Sequence, residues 1–164
     1  MSKKLSRKEQ GFTIIEVLIV LAIASLILLA VFLAVPALQR NSRNTSRKND
    51  IAAVLGAITE FESNNNGAVP TVACGSSGSF TVSTGTCAAQ TGTSASFKMG
   101  FYTSVPAFVT GTLSARTTDV LQIAKGAKCT AAGGSTATGA AARSIAALYT
   151  LEKGTGLAAA CQES

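Results

Sequence analysis

Residues 12–38 read FTIIEVLIVLAIASLILLAVFLAVPAL, an apolar run carrying a single charge, Glu16. As a helix rising ~1.5 Å per residue it spans ~40 Å, enough to cross a bilayer. Backbone groups in lipid must be satisfied within the segment, which leaves the helix as its only state. Pro36 removes one helical hydrogen bond near the end of the run and marks a place for a kink. The helical pattern outlasts the apolar run. Residues 39–50, QRNSRNTSRKND, are polar and contain no breaker, and Ile51, Val54, Leu55, Ile58 and Phe61 then form one apolar stripe at helical spacing. Asn64, Asn65, Asn66 and Gly67 tolerate positive φ, and Pro70 follows, so the helix is predicted to stop there.

Working toward the N-terminus, residues 1–11, MSKKLSRKEQG, are short, polar and basic and read as a targeting leader. Lys3, Lys4, Arg7 and Lys8 precede the apolar run, and Arg40, Arg43, Arg47 and Lys48 follow it. Glu9 and Asp50 reduce the two flanks equally, so the positive-inside rule does not orient the segment. The cysteines do. Cys74, Cys87, Cys129 and Cys161 all lie beyond the run, with no CxxC and no His in the chain. That pattern fits two disulfides in an oxidising compartment better than a zinc site. It places residues 40–164 outside and the leader in the cytoplasm. Four cysteines allow three pairings; Cys74–Cys87 and Cys129–Cys161 are favoured because each closes a local segment. The formal charge of +6 falls to +3 without residues 1–11, so the basic balance belongs mainly to the flanks of the run.

Toward the C-terminus, residues 67–164 are rich in Gly, Ser, Thr and Ala. Strands are predicted over 79–83, 96–103, 118–124 and 144–151, with low-complexity loops at 75–95 and 130–142. The expected fold class is α+β. A long helix, membrane-spanning over 12–38 and amphipathic over 39–66, packs its second half on a small antiparallel β-sheet with long loops in an extracellular β-rich part at 67–164.

The leader ends at Gly11, ahead of the apolar run, whereas a secretory signal is cut after its apolar region. Glu16 follows five residues later. A carboxylate within the membrane costs ~2.5 to 3.5 kcal/mol and calls for a partner. No basic residue lies within helical reach inside the run. A cut before Phe12 creates an α-amine about one helical turn from Glu16. That amine suits the carboxylate of its own chain, or that of a neighbour shifted along a helical bundle, where the pair specifies register.

The stretch KEQGFTIIEVLIVLAIASLILLA, residues 8–30, resembles the N-terminal signature of type IV prepilins and related pseudopilins. The resemblance covers about the first 35 residues. It implies cleavage by a prepilin peptidase between Gly11 and Phe12, N-methylation of the new Phe12 amine, and a role for Glu16 in docking into a growing fibre. It implies a homo-oligomeric helical pilus fibre at the cell surface, serving adhesion, motility or DNA uptake. It further implies an inner-membrane assembly platform with its ATPase as partner, and membrane storage before assembly. Ala68-Val69-Pro70 resembles the family's helix exit, and Cys129 with Cys161 suits its C-terminal Cys pair.

A pseudopilin or minor pilin of a type II secretion-like system shares every N-terminal feature. A membrane-anchored binding domain that never polymerises would instead keep residues 1–11 and not depend on Glu16. No enzyme activity is expected. The absence of His removes His-based triads, and Glu60 and Glu62 point to different helix faces. The acids Asp50, Glu60, Glu62, Asp119, Glu152 and Glu163 form no clustered calcium loop, so neither metal nor cofactor is expected. Lys98, Arg116, Lys125, Lys128, Arg143 and Lys153 read as scattered solvated charges more than as a nucleic-acid patch.

Overall fold

A helix, α1 (Ile14–Asn64), runs without interruption through Pro36 in a computed structural model of the chain. The structure describes residues 11–76, 78–110, 112–113, 119–136 and 140–164. The basic leader residues 1–10 and Arg116 lie outside the described residues. Two compact units divide the chain, one up to Gln39 and one over Arg40–Ser164.

The first unit is the apolar part of α1. Its large side chains, from Phe12 to Leu38, are exposed. The helix has the length and composition to cross a membrane.

In the second unit α1 ends where the Asn/Gly cluster begins. Asn66 and Gly67 adopt φ of 53° and 78°, and Gly67 N–H donates to the Glu62 carbonyl at 2.7 Å. This left-handed turn satisfies a terminal carbonyl of the helix. A Cβ on Gly67 would also overlap the Arg143 guanidinium. Among the described residues the strands that follow are β1 (Val72–Ser76), β2 (Ser79–Thr86), β3 (Ala89–Lys98), β4 (Ala107–Thr110), β5 (Gln122–Lys125), β6 (Lys128–Cys129), β7 (Ser135–Thr136), β8 (Ile145–Lys153) and β9 (Gly156–Glu163). They form three sheets, ordered β1-β2-β3, β4-β5-β8-β9 and β6-β7. All pairings are antiparallel except β4 with β5.

The predicted stripe makes the core. Ile51, Val54, Leu55, Ile58 and Phe61 are all buried. They share one cluster with Phe80, Val82 and Phe97 of the first sheet and Ile123, Ile145, Ala147 and Tyr149 of the second. The alternate face of β5 and β8 buries Ala124, Ala146 and Leu148 against Leu113, Cys129 and Cys161. Two-sided burial explains why β8 reads as a continuous apolar run rather than an alternating one.

Disulfides join Cys74 to Cys87 and Cys129 to Cys161, with Cα separations of 5.4 and 5.6 Å. In the chain-entropy account each removes about 3 to 4 kcal/mol of unfolded-state freedom, a large share of stability for a domain this poor in bulky side chains.

The strand predictions need correction. The 75–95 stretch is not a loop: most of it is the β2–β3 ribbon, tied to β1 by Cys74–Cys87. Residues 99–103 are not strand: Asp50 of α1 takes the backbone N–H groups of 100–102, and Met99 N–H donates to the Gly78 carbonyl. Strand β5 begins at Gln122, and Thr118 lies outside the described residues. Strands β1, β4, β6, β7 and β9 lie outside the predicted strands, and β7 falls within the stretch 130–142 predicted as a loop, where it pairs with β6. Strand β9, GLAAACQE, is made of residues with little strand preference and is held by its ladder with β8.

Candidate processing and assembly site

Thr13 is the N-cap of α1 and Glu16 its third residue, and the two close a reciprocal hydrogen-bonded box. Thr13 N–H and Oγ1–H both donate to Glu16 Oε2, at 2.9 and 2.7 Å, and Glu16 N–H donates to Thr13 Oγ1 at 3.4 Å. Two otherwise unpaired donors at the helix start are satisfied in this way. Glu16 therefore has a partner within its own chain before any cut. A Thr three residues ahead of a Glu, just before an apolar run, is the sequence sign of this box. Reasoning from the charge of Glu16 alone passed over Thr13. No cation lies within 4 Å of Glu16 among the described residues.

Gly11 and Phe12 stand just outside the box. A Cβ on Gly11 would meet nothing within 4 Å, so the chain's own packing does not require glycine there. Phe12 is 88% exposed, and the apolar surface continues from it along the first unit. A contiguous apolar patch of that extent marks a surface that lipid or protein covers.

The polar segment of α1 is more than a membrane flank. Arg43 pairs with Glu152 through Nε and Nη2, both at 2.6 Å. Asn44 donates to the Glu152 carbonyl at 2.9 Å and accepts from its N–H at 2.8 Å. Asn44 thus acts as a strand neighbour on the side of β8 that β5 leaves uncovered beyond Leu148. Asn65 does the same at Thr93 of β3, with bonds of 2.9 and 2.8 Å. Arg47 is buried, pairs with Asp119 at 2.7 Å and with Glu152 at 3.4 Å, and lies over the Phe101 ring at 4.3 Å. Asp50 is buried and accepts from Gly100, Phe101 and Tyr102 N–H at 2.8, 2.8 and 2.9 Å. Burial pushes the neighbouring Tyr102 hydroxyl up to about 12, so it stays neutral. None of these roles shows in the sequence, because the partners lie 28 to 109 residues away.

The Arg43 guanidinium, by hydrogen bonding and then by charge, holds the Glu152 carboxyl below the usual carboxylate range, with Arg47 and Arg40 adding to it. A depressed carboxyl contributes stability above its unfolded pKa of about 4.3 and loses it as pH falls through the lower folded value. Glu152→Gln is therefore expected to lower the unfolding midpoint at neutral pH. The difference from wild type should close as pH drops below about 4. Thermal melts across pH check this; a gap that persists in acid would separate Glu152 from the acid transition.

Lys98, Lys125, Lys128, Arg143 and Lys153 fall on separate elements, and Arg143 stands at the C-terminal end of α1 beside Gly67. Among the described residues no three His, Cys, Asp or Glu side chains gather as metal ligands.

A family model described as "Prokaryotic N-terminal methylation motif" matches residues 6–32, the stretch that contains Gly11, Phe12, the Thr13–Glu16 box and most of the exposed apolar run. No curated protein and no solved structure matches the chain.

Proposed function

We propose, for a chain whose N-terminus is the type IV prepilin signature, that a prepilin peptidase cuts between Gly11 and Phe12 and that the mature subunit polymerises into a surface pilus. The observation that carries this is the coincidence, within residues 6–32, of the methylation motif with an exposed apolar helix holding one acid at its first turn. Gly11 supports the cut site, since the fold has no need of a glycine there and an external enzyme does. The two disulfides of the second unit support an extracellular position for residues 40–164, with residues 1–10 cytoplasmic and 12–38 in the membrane before assembly.

Work in this cycle is done by association, not by bond chemistry after maturation. In the precursor, Thr13 holds Glu16 and lowers the expense of a carboxylate near lipid. Cleavage frees a cationic α-amine at Phe12, and its later N-methylation, by a separate methyl transfer, keeps the charge. In the fibre Glu16 exchanges Thr13 for the amine of a neighbouring subunit, which sets the stagger of the helices. Apolar contacts to lipid are replaced by contacts between helices with little net gain, so an ATPase-driven assembly platform in the inner membrane supplies direction. The fibre serves adhesion, motility or DNA uptake.

Co-expression of the full chain with a prepilin peptidase tests the first step. The expected product lacks residues 1–11, and Gly11→Val blocks its formation. An uncut wild-type chain would leave only a membrane-anchored domain. A pseudopilin would be cut identically but form no abundant surface fibre.

A further inference from the structure

We propose that Arg40, Arg43 and the 154–157 turn between β8 and β9 form a binding site for the headgroup of an anionic phospholipid. These groups, with Glu152, line a cavity of about 340 Å³. Arg40 gives one N–H, from Nη1, to the Gly154 carbonyl at 2.9 Å and makes no ion pair within 4 Å among the described residues. Its Nε and Nη2 remain for a ligand. Arg43 commits Nε and Nη2 to Glu152, which leaves Nη1, and its side chain is 47% exposed. Glu152 is the one acid in the lining, and Arg43 and Arg47 already occupy it. The cavity therefore carries an uncompensated positive charge, with exposed Lys153 next to it in sequence. Gly154 and Gly156 have open space where a Cβ would stand, so the turn does not obstruct the arginines. A planar guanidinium with free N–H groups matches the oxygens of a phosphate.

Position selects a lipid as the source of that phosphate. Arg40 follows Leu38, the last apolar residue of the run, by two residues, or ~3 Å of helix rise. With 12–38 in the bilayer, a membrane reading on which this inference rests, Arg40 stands at the headgroups of the outer leaflet, beside a layer of phospholipid phosphates. The lipid then steadies the stored subunit at the membrane surface, and its release accompanies extraction into the fibre.

The full-length protein in detergent, analysed by native mass spectrometry with added phosphatidylglycerol or phosphatidylcholine, tests this without requiring cleavage or fibres. Wild type is expected to retain phosphatidylglycerol in preference to phosphatidylcholine. Arg40→Gln, which removes the charge, should weaken that retention about fivefold, and Arg40→Lys, which returns the charge, should restore most of it, with the melting midpoint of each variant read alongside. Equal retention of the two lipids, or an Arg40→Gln protein indistinguishable from wild type, overturns the proposal. Displacement of the lipid by equimolar inorganic phosphate overturns the assignment to a lipid. Since the assay reads solubilised subunits, its failure leaves fibre formation untouched, and a failure to form fibres leaves its result standing.

Discussion

Glu16→Ala is expected to insert in the membrane as well as wild type, or slightly better, and to yield at least about 100-fold less surface fibre. The insertion half follows from removing a charge that costs ~2.5 to 3.5 kcal/mol in lipid. The assembly half follows from leaving the Phe12 amine unpaired among apolar helices, a loss of about 3 to 5 kcal/mol at each subunit contact. The Thr13–Glu16 box makes a finer test available. Glutamine also closes a capping box, so Glu16→Gln keeps the helix start and removes only the charge. If charge pairing sets the stagger, Gln fails as badly as Ala. Thr13→Ala removes the cap and spares the charge, for a cost of about 1 kcal/mol and a modest loss of fibre. Yield from sheared cells, normalised to subunit in the membrane, measures all three. Full fibre yield from Glu16→Gln would reduce Glu16 to a helix cap.

Asp50→Ala is expected to destabilise the second unit by about 3 to 5 kcal/mol. Its carboxylate holds three successive backbone N–H groups, at Gly100, Phe101 and Tyr102, and turns the chain away from β3. Without it those donors lose their acceptor, and the loop beneath Arg47 and Phe101 loosens. Asp50→Asn is milder, about 1 to 2 kcal/mol, because one oxygen persists for Phe101 and Tyr102 while Gly100 loses its partner. Denaturant unfolding in detergent, followed by circular dichroism because the chain has no Trp, gives the two values. Hydrogen exchange at residues 100–102 locates the change. Equal stability of Asp50→Ala and wild type would show that this anchor carries no net weight.

These two residues mark what the sequence makes legible and what it hides. The apolar run, the Ile51–Phe61 stripe and the stop at Asn64–Gly67 are local patterns with one periodicity each, and all three stand in the structure as predicted. The start of the helix was equally legible, since Thr13 and Glu16 carry the capping spacing. Strands were harder. In β1, β3 and β9, small residues stand where β-branched or aromatic ones usually announce a strand, so register with a neighbour and a disulfide decide the conformation. The polar segment 40–50 was least legible of all. Its helical state is plain, but the roles of Arg43, Asn44, Arg47 and Asp50 depend on Glu152, Asp119 and the 100–102 loop, which only the tertiary fold brings near.

Intact-mass and N-terminal peptide spectra of the chain, taken from the sheared surface fraction of cells that express it, test the central claim most directly. The expected chain begins at N-methylated Phe12 and is recovered in fibres. A chain that still carries residues 1–11 and is found only in membranes would contradict both the processing and the assembly.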